Sequence, residues 1–133
     1  MRPEHELVRD WLLKARNDLA SAERLLSGEE PIFDTGCFHC QQTVEKLLKA
    51  FLTYHAVEFE KTHSLIYLVD VCVPVDESFR TLYPTAQSLT VYAVGIRYPE
   101  FIEPAADEAR AALEMARRAW DFVLQRLPSH IHP

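Results

Sequence analysis

Hydrophobic residues recur every three or four positions along most of this chain, and this spacing constrains the fold more than any other feature of the sequence. The recurrence predicts long amphipathic helices over residues 4–26 and 105–126. Another long helix is predicted to start with Asp34 or Thr35 as its cap and to end near His55. These three segments are separated by stretches rich in proline and acidic residues, which favour loops.

The middle of the chain predicts two further helices. A short one covers residues 64–71. The next is predicted to be capped by Asp76 or Ser78 and to continue with apolar residues at steps of three and four over residues 79–96. Pro84 falls inside that pattern, so it either kinks this helix or marks its true start after a preliminary turn.

Four long amphipathic segments with short connections predict an all-α fold, an antiparallel up-and-down four-helix bundle with a short extra helix. The chain has only three glycines in 133 residues, which suits helices better than β-rich folds that need glycine at their turns. This length fits a single domain over residues 1–133, and residues 129–133 are predicted to form a flexible tail.

Charge and composition exclude several classes of protein. The 14 Lys and Arg residues against 20 Asp and Glu give a net charge of −6. Non-specific binding of nucleic acid over a broad surface normally needs a basic face, so that function is disfavoured. No apolar run approaches the ~20 residues of a membrane span, and no signal peptide opens the sequence. Three cysteines, an odd number, disfavour a secreted disulfide framework and favour a reducing cytoplasm.

Cys37 and Cys40 are spaced like half of a metal or redox site. A structural zinc ion needs four ligands, normally two such pairs, and only Cys72 remains elsewhere in the chain. A thioredoxin-like redox site would need a βαβ context, which an all-helical pattern lacks. We therefore expect structural cysteines, no metal site and no cofactor.

Residues 37–52 also carry an unusually dense polar set, with two adjacent glutamines and a histidine between the apolar positions. Together with three other segments, in the same order along the chain, they resemble the HEPN domain family (higher eukaryote and prokaryote nucleotide-binding). The matching segments are WLLKA (11–15) with DLA (18–20), FHCQQ (38–42) with EK (45–46) and KAFL (49–52), KTHSL (61–65), and RYP (97–99).

This resemblance implies a nucleotide- or RNA-associated binding module. Prokaryotic relatives are often paired with a minimal nucleotidyltransferase in toxin–antitoxin-like systems, so the resemblance also implies such a partner. Family members commonly dimerise, and several large apolar residues of this chain lie outside the cleanest core stripes, so we expect a homodimer. Those residues are Tyr54, Phe59, Tyr67 and Phe101.

The candidate nucleotide- or RNA-binding residues supply cations for phosphate, polar groups for base edges and a ring for stacking. They are Gln41, Gln42, Glu45, Lys46, Lys49, Lys61, His63, Arg97 and Tyr98. We expect Lys46, His63 and Arg97 to converge at the C-terminal end of the second helix, because the second and fourth helices of an antiparallel bundle run in the same direction. At that end Lys49 is nearer than Gln41.

Simpler interpretations of the same residues stay open. His63 is also suited to capping or packing at the start of the short helix. Arg97 is also suited to binding the last carbonyl groups of the helix that it ends. The charges of the second helix are also those of an ordinary solvated face.

Two alternative functions follow from these residues. Ribonucleases of the family carry an arginine followed, a few residues later, by a histidine at the start of the last helix. In this chain the corresponding positions after Arg97 are Ile102, Glu103 and Pro104. A metal-independent endoribonuclease would therefore have to use Arg97 with His63 as general acid or base. The other alternative is a structural dimerisation bundle without a ligand, so the sequence leaves open whether the protein is an enzyme.

Overall fold

The computed structural model describes residues 2–133, except for the side chain of Ile96, and the described residues contain helices and no strand. The five α-helices are α1 (Pro3–Leu26), α2 (Phe33–Tyr54), α3 (Leu65–Cys72), α4 (Tyr83–Leu89) and α5 (Ala106–Leu124). Short 3₁₀ helices cover Glu77–Leu82, Thr90–Ala93, Gly95–Arg97 and Ser129–Ile131. The prediction of an all-α fold is confirmed.

Local signals set both ends of α1. Pro3 lies in the first turn, where its missing N–H has no helical partner to lose. Glu4 and Glu6 in the same turn complement the partial positive charge of the helix N-terminus. After the helix ends, Gly28 adopts a φ of 94°, a conformation that other residues rarely reach. The predicted segment 4–26 therefore matches α1 closely.

The central element of the fold is α2, and more than half of its 22 residues are buried. It packs against α1, α3 and α5, and its side chains Leu48 and Phe51 are at most 1% exposed. Ile32 occupies the N-cap position and makes no side-chain hydrogen bond there. The prediction that Asp34 or Thr35 caps this helix is wrong, because both residues already lie inside its first turn.

The connection from α2 to α3 runs back along α2 instead of turning at its end. By residue 63 the chain has returned so far that Gln41 Nε2 donates a hydrogen bond to the carbonyl of His63 at 3.1 Å. From there α3 follows the direction of α2. The chain beyond α3 has reached the far end of α2, where the rings of Phe79 and Phe51 lie with centroids 4.2 Å apart.

The helical segment over residues 77–97 then runs antiparallel to α2. It starts beside Phe51 and continues to Tyr92, whose hydroxyl contacts the thiol of Cys37 near the start of α2. Next, α5 runs in the direction of α2, from a hydrogen bond between Tyr92 and Glu108 near its start to the far end of the bundle. The long segments thus alternate in direction, and α3 is the predicted short extra helix.

One expectation about direction is wrong. The second and fourth predicted helices do not run in the same direction. The prediction counted the short α3 as one of the helices that alternate in direction, although only the long segments alternate. The segment over residues 77–97 is the third long segment, so it is antiparallel to α2.

Pro84 lies in the first turn of α4, after the 3₁₀ helix Glu77–Leu82. It marks the start of α4, the second of the two alternatives, since its missing N–H has no cost there.

The C-terminal residues differ from the flexible tail that we expected. Ser129–Ile131 forms a 3₁₀ helix, and the side chain of Ile131 is fully buried. His132 Nε2 also lies 3.0 Å from the carbonyl oxygen of Leu127. The apolar Ile131 accounts for this order, because its burial anchors a segment that is otherwise polar.

Among the helices of residues 2–133, none combines the length and apolar character that a membrane crossing requires.

Candidate functional site

A buried carboxylate on α1 holds two side chains of α2. Asp18 is 8% exposed. Its Oδ1 accepts a hydrogen bond from His39 Nδ1 at 2.8 Å, and its Oδ2 accepts one from Lys46 Nζ at 2.5 Å. His39 and Lys46 are seven residues apart, two helical turns, so they lie on the same face of α2. Asp18 therefore ties α1 to α2 through two charge-assisted contacts.

A second buried carboxylate, Glu45, lies on α2 itself and is 3% exposed. Lys49 Nζ donates to Glu45 Oε2 at 3.0 Å, in the i,i+4 arrangement that the sequence spacing allows. His63 Nδ1 lies 3.0 Å from Glu45 Oε1, and Gln41 Nε2 donates to the same oxygen at 3.2 Å. Glu45 thus joins α2 to the loop that precedes α3.

The two glutamines extend this arrangement towards the surface. Gln41 is fully buried, and its amide holds both Glu45 and the backbone of His63. Gln42, half-buried, donates from Nε2 to Gln41 Oε1 at 2.7 Å. These residues form two clusters of hydrogen bonds, which we refer to together as the ionic network. Asp18 holds His39 and Lys46 in one cluster. Glu45 joins Gln41, Gln42, Lys49 and His63 in the other.

The charges of the ionic network largely compensate one another. Two carboxylates face two lysines, and Lys49 also lies over the ring of Trp11, 5.6 Å from its centroid. In residues 2–133, no buried side-chain nitrogen or oxygen lacks a hydrogen-bond partner. Removing one member of a buried ion pair typically costs about 3–5 kcal/mol, because the other charge is left without compensation. The stability of the fold therefore depends on each charged member of the network being present.

His63 is the most exposed of the ion-paired members, with 57% of its side chain open to solvent. Its Nδ1 faces the carboxylate of Glu45, an arrangement that places the ring proton on Nδ1. The other nitrogen, Nε2, is left for a ligand: it accepts a hydrogen bond when the ring is neutral and donates one when the ring is protonated. A carboxylate that orients an imidazole in this way is also found where histidine binds a ligand or transfers a proton.

The structure brings five of the nine candidate residues together around Glu45, pairs Lys46 with Asp18, and leaves three outside the ionic network. Lys61 is exposed in the loop two residues before His63. Arg97 and Tyr98 are exposed at the end of the segment that runs antiparallel to α2. Within residues 2–133 the side chain of Arg97 forms no hydrogen bond or ion pair.

The expected meeting place at the C-terminal end of α2 is wrong. His63 reaches Gln41 and Glu45, in the N-terminal half of α2, because residues 57–64 run back along that helix. Arg97 lies beyond Tyr92, which already contacts Cys37 at the start of α2. Gln41, which we expected to lie farther from the meeting place than Lys49, bonds to the backbone of His63, and Gln42 bonds to Gln41.

Sequence reasoning missed Asp18 and His39 as members of this arrangement. Asp18 falls between the buried residues Ala15 and Ala22 at steps of three and four. A carboxylate at a position of the buried stripe is the available signal, because an unpaired charge there is costly and predicts a partner on the facing helix.

The three cysteines lie in the core and are all free and buried. Burial raises the pKa of Cys37 to about 11 and the pKa values of Cys40 and Cys72 to about 12. At neutral pH these thiols are therefore protonated, and they pack as small apolar side chains. Among the described residues, no three potential ligands cluster in a way that could hold a metal ion.

Comparison with solved structures shows what this arrangement of helices resembles. The structure is similar to TT1696 from Thermus thermophilus, with a TM-score of 0.73 and 27% sequence identity, over 90% of this chain and 98% of that one. It is also similar in fold to ST0689, an archaeal HEPN homologue, with a TM-score of 0.68 and 23% identity, over 90% of this chain and 96% of that one. No curated protein matches the chain.

The profile of the HEPN domain matches residues 8–127, nearly the whole sequence. This match spans all five α-helices apart from the first residues of α1. It agrees with the segments of the sequence that resemble this family and with the bundle formed by α1, α2, α5 and the segment between α3 and α5. The chain belongs to the HEPN domain family.

Proposed function

We propose that this protein is a nucleotide- or RNA-associated binding module and that the exposed edge of the ionic network contacts the ligand. One observation carries the proposal: Glu45, itself buried, holds the half-exposed imidazole of His63 with one ring nitrogen left at the surface. Lys61 lies two residues before it on the same loop, and Lys46 lies one helical turn after Gln42 on α2. Imidazole and ammonium groups are donors suited to phosphate oxygens.

The charges within the network already neutralise one another, so few of its groups are available to a ligand. Lys46 and Lys49 are already paired with carboxylates, so they add little net charge for a ligand. His63 and the exposed Lys61 are the groups with unused donors or acceptors on the loop side. Gln42 supplies an amide for a base edge. This composition favours one phosphate or a short nucleotide over an extended polyanion, in keeping with the net charge of −6.

The test is isothermal titration with AMP, ATP and a short single-stranded RNA. His63→Asn keeps a donor near the position of Nδ1 for Glu45 and removes Nε2, so it separates ligand binding from stability. We expect His63→Asn and Lys61→Ala each to weaken binding roughly tenfold, the loss of about one charge-assisted contact. Lys14→Ala, an exposed lysine on α1, is the matched control and should bind like the parent. If the parent binds none of the three ligands, or His63→Asn and Lys61→Ala bind them as the parent does, the proposal fails.

The family also supports a protein partner, and we propose a minimal nucleotidyltransferase in a toxin–antitoxin-like pair, together with a homodimer of this chain. The four apolar residues first expected to form the dimer contact, Tyr54, Phe59, Tyr67 and Phe101, pack against the chain's own core. The homodimer would therefore use other exposed apolar side chains, such as Leu7 and Ile66, which are 50% and 39% exposed.

A second candidate function is favoured by the pairing of Glu45 with His63. An imidazole oriented by a carboxylate can act as general base or acid in metal-independent cleavage of RNA. Arg97, the other residue of that hypothesis, is outside the ionic network, so we expect Arg97→Ala to retain any cleavage. Incubation with RNA in excess chelator measures this directly. Cleavage by the parent that is lost in His63→Asn supports the endoribonuclease, and intact RNA with the parent removes it.

A further inference from the structure

Two histidines that are far apart in the sequence meet at the surface of the bundle. His5 lies in the first turn of α1, and His130 lies in the 3₁₀ helix Ser129–Ile131, which packs on α1. His5 Nδ1 and His130 Nε2 are 3.4 Å apart. The ring centroids are 5.4 Å apart, and the ring planes are tilted by 49°. We call these two residues the histidine pair.

The fold brings the two rings together. Ile131, next to His130, is fully buried, so the segment cannot leave α1 without exposing an apolar side chain. The ring of His5 stacks on Tyr54, at the end of α2, with centroids 5.4 Å apart and planes at 29°. Contacts on both sides of the histidine pair therefore fix the separation of its rings.

A hydrogen bond between the two rings accounts poorly for this contact. Hydrogen bonds from N–H donors normally span about 2.7–3.2 Å, and the 3.4 Å between the two nitrogens exceeds that range. Both signs of charge occur nearby: residues 2–10 contain two arginines and three carboxylates, and residues 121–133 add Asp121 and Arg126. The surrounding charge therefore neither favours nor opposes a cation, and the geometry of the two nitrogens decides.

The separation matches that of two ligands on one tetrahedral metal ion. Zn²⁺ binds imidazole nitrogen at about 2.0–2.1 Å, so two such nitrogens at the tetrahedral angle are about 3.3–3.4 Å apart. The same geometry places the two ring centroids about 5.2 Å apart. The histidine pair has 3.4 Å and 5.4 Å for these distances. Neighbouring ligands at 90°, as in square-planar and octahedral sites, would need nitrogens about 2.8–3.0 Å apart.

We propose that His5 and His130 bind one Zn²⁺ ion, through Nδ1 and Nε2 respectively. Water fills the other two coordination positions, because among the described residues no third potential ligand joins the pair. With only two protein ligands the ion is held reversibly, and it stabilises the contact of the C-terminal segment with the start of α1. This proposal differs from the expectation of no metal site, which considered only the cysteines.

The histidine pair is separate from the ionic network. His5 precedes Asp18 by 13 residues on α1, which corresponds to about 20 Å along a helix. Tyr54, beside His5, likewise follows Gln41 by 13 residues on α2. Zinc binding and nucleotide binding can therefore be tested independently, and failure of one leaves the other standing.

The test is titration of the full chain with ZnCl₂, after a chelator has been used to strip metal and has been dialysed away. Isothermal calorimetry should give one zinc ion per chain. Long-range ¹H–¹⁵N spectra of the imidazole rings should show shifts of His5 Nδ1 and His130 Nε2. Mg²⁺, which prefers oxygen ligands, should produce neither result. The three thiols are buried, so they do not compete for zinc in the native protein.

Matched variants make the result specific. His5→Ala and His130→Ala each remove one ligand and should weaken zinc binding at least about tenfold. Each should also abolish the rise in melting temperature that zinc gives the parent, and both should stay folded without metal. His55→Gln is the control, because it removes another exposed histidine beside Tyr54 and should bind zinc like the parent.

Three results would overturn the proposal. One is the absence of zinc binding by the parent. Another is binding by His5→Ala and His130→Ala that equals binding by the parent, or an equal loss in His55→Gln, which marks non-specific binding to surface histidines. The third is one zinc ion per two chains with a mass that doubles only when zinc is added, because the ion then joins two chains instead of two segments of one chain.

Discussion

At the scale of single residues, Glu45 is the buried charge that joins three other side chains of the ionic network. Its two oxygens accept from Gln41, Lys49 and His63, which come from α2 and from the loop before α3. A buried charge of this kind is stable only while its partners stay in place. Its loss should therefore be felt in folding before any effect on a ligand.

The prediction for this residue is that Glu45→Ala lowers the free energy of unfolding by about 3–5 kcal/mol, because Lys49 is left buried and unpaired. The double change Glu45→Gln with Lys49→Met removes both charges together, so it should recover most of that loss. Urea unfolding followed by circular dichroism measures both. Equal destabilisation by the single and double changes would show that the ion pair is not the cause.

The buried thiols provide a second test at the residue scale. Burial raises the pKa of Cys40 and of Cys72 to about 12, so almost no thiolate is present at pH 8. We expect a thiol reagent to leave the three cysteines unmodified in the native protein and to modify all three in urea. Fast reaction of the native protein at pH 8 would contradict the packing of these side chains.

At the scale of elements, the long amphipathic helices could be predicted from the sequence and the path between them could not. The start and end of α1 follow from Pro3 and Gly28, signals that act locally. The return of residues 57–64 along α2 depends on the contact of Gln41 with the His63 carbonyl, 22 positions apart in sequence. No local pattern encodes such a contact, so the level at which His63 meets α2 was predicted wrongly.

The candidate site shows the same division. The face of α2 with Gln41, Glu45 and Lys49 could be predicted, because positions four apart share a face of a helix. The residues of other elements that pair with α2 could not be predicted. The position of Asp18 in the apolar stripe of α1 signals a buried charge, but it does not indicate which residues of α2 pair with it.

The C-terminal segment gives a test at this scale. Ile131 is fully buried in a segment that composition alone marks as a mobile tail. We expect Ile131→Ala to destabilise the protein by about 2–5 kcal/mol, as for other buried isoleucine residues. His130→Ala, exposed in the same turn, is the control and should change stability little. If Ile131→Ala has the same free energy of unfolding as the parent, the segment is a flexible tail, as first expected.

At the scale of the whole molecule, the proposed homodimer makes a prediction about mass. We expect light scattering at micromolar concentration to give twice the mass of the 15.4 kDa chain. Leu7→Asp should lower the dimer fraction if the exposed end of α1 takes part, whereas Ile102→Asp should not. If light scattering gives the mass of a monomer throughout that concentration range, the homodimer is excluded. The account of the ionic network is unaffected by that result.

The central claim is that the exposed edge of the ionic network binds a nucleotide or a short RNA. A ¹H–¹⁵N titration of the full chain with AMP and with a short single-stranded RNA tests it most directly. We predict that the largest shifts fall on Gln42, Lys46 and residues 61–63, and that His63→Asn abolishes them. Absent shifts, or shifts confined to Arg97 and Tyr98, would contradict the claim.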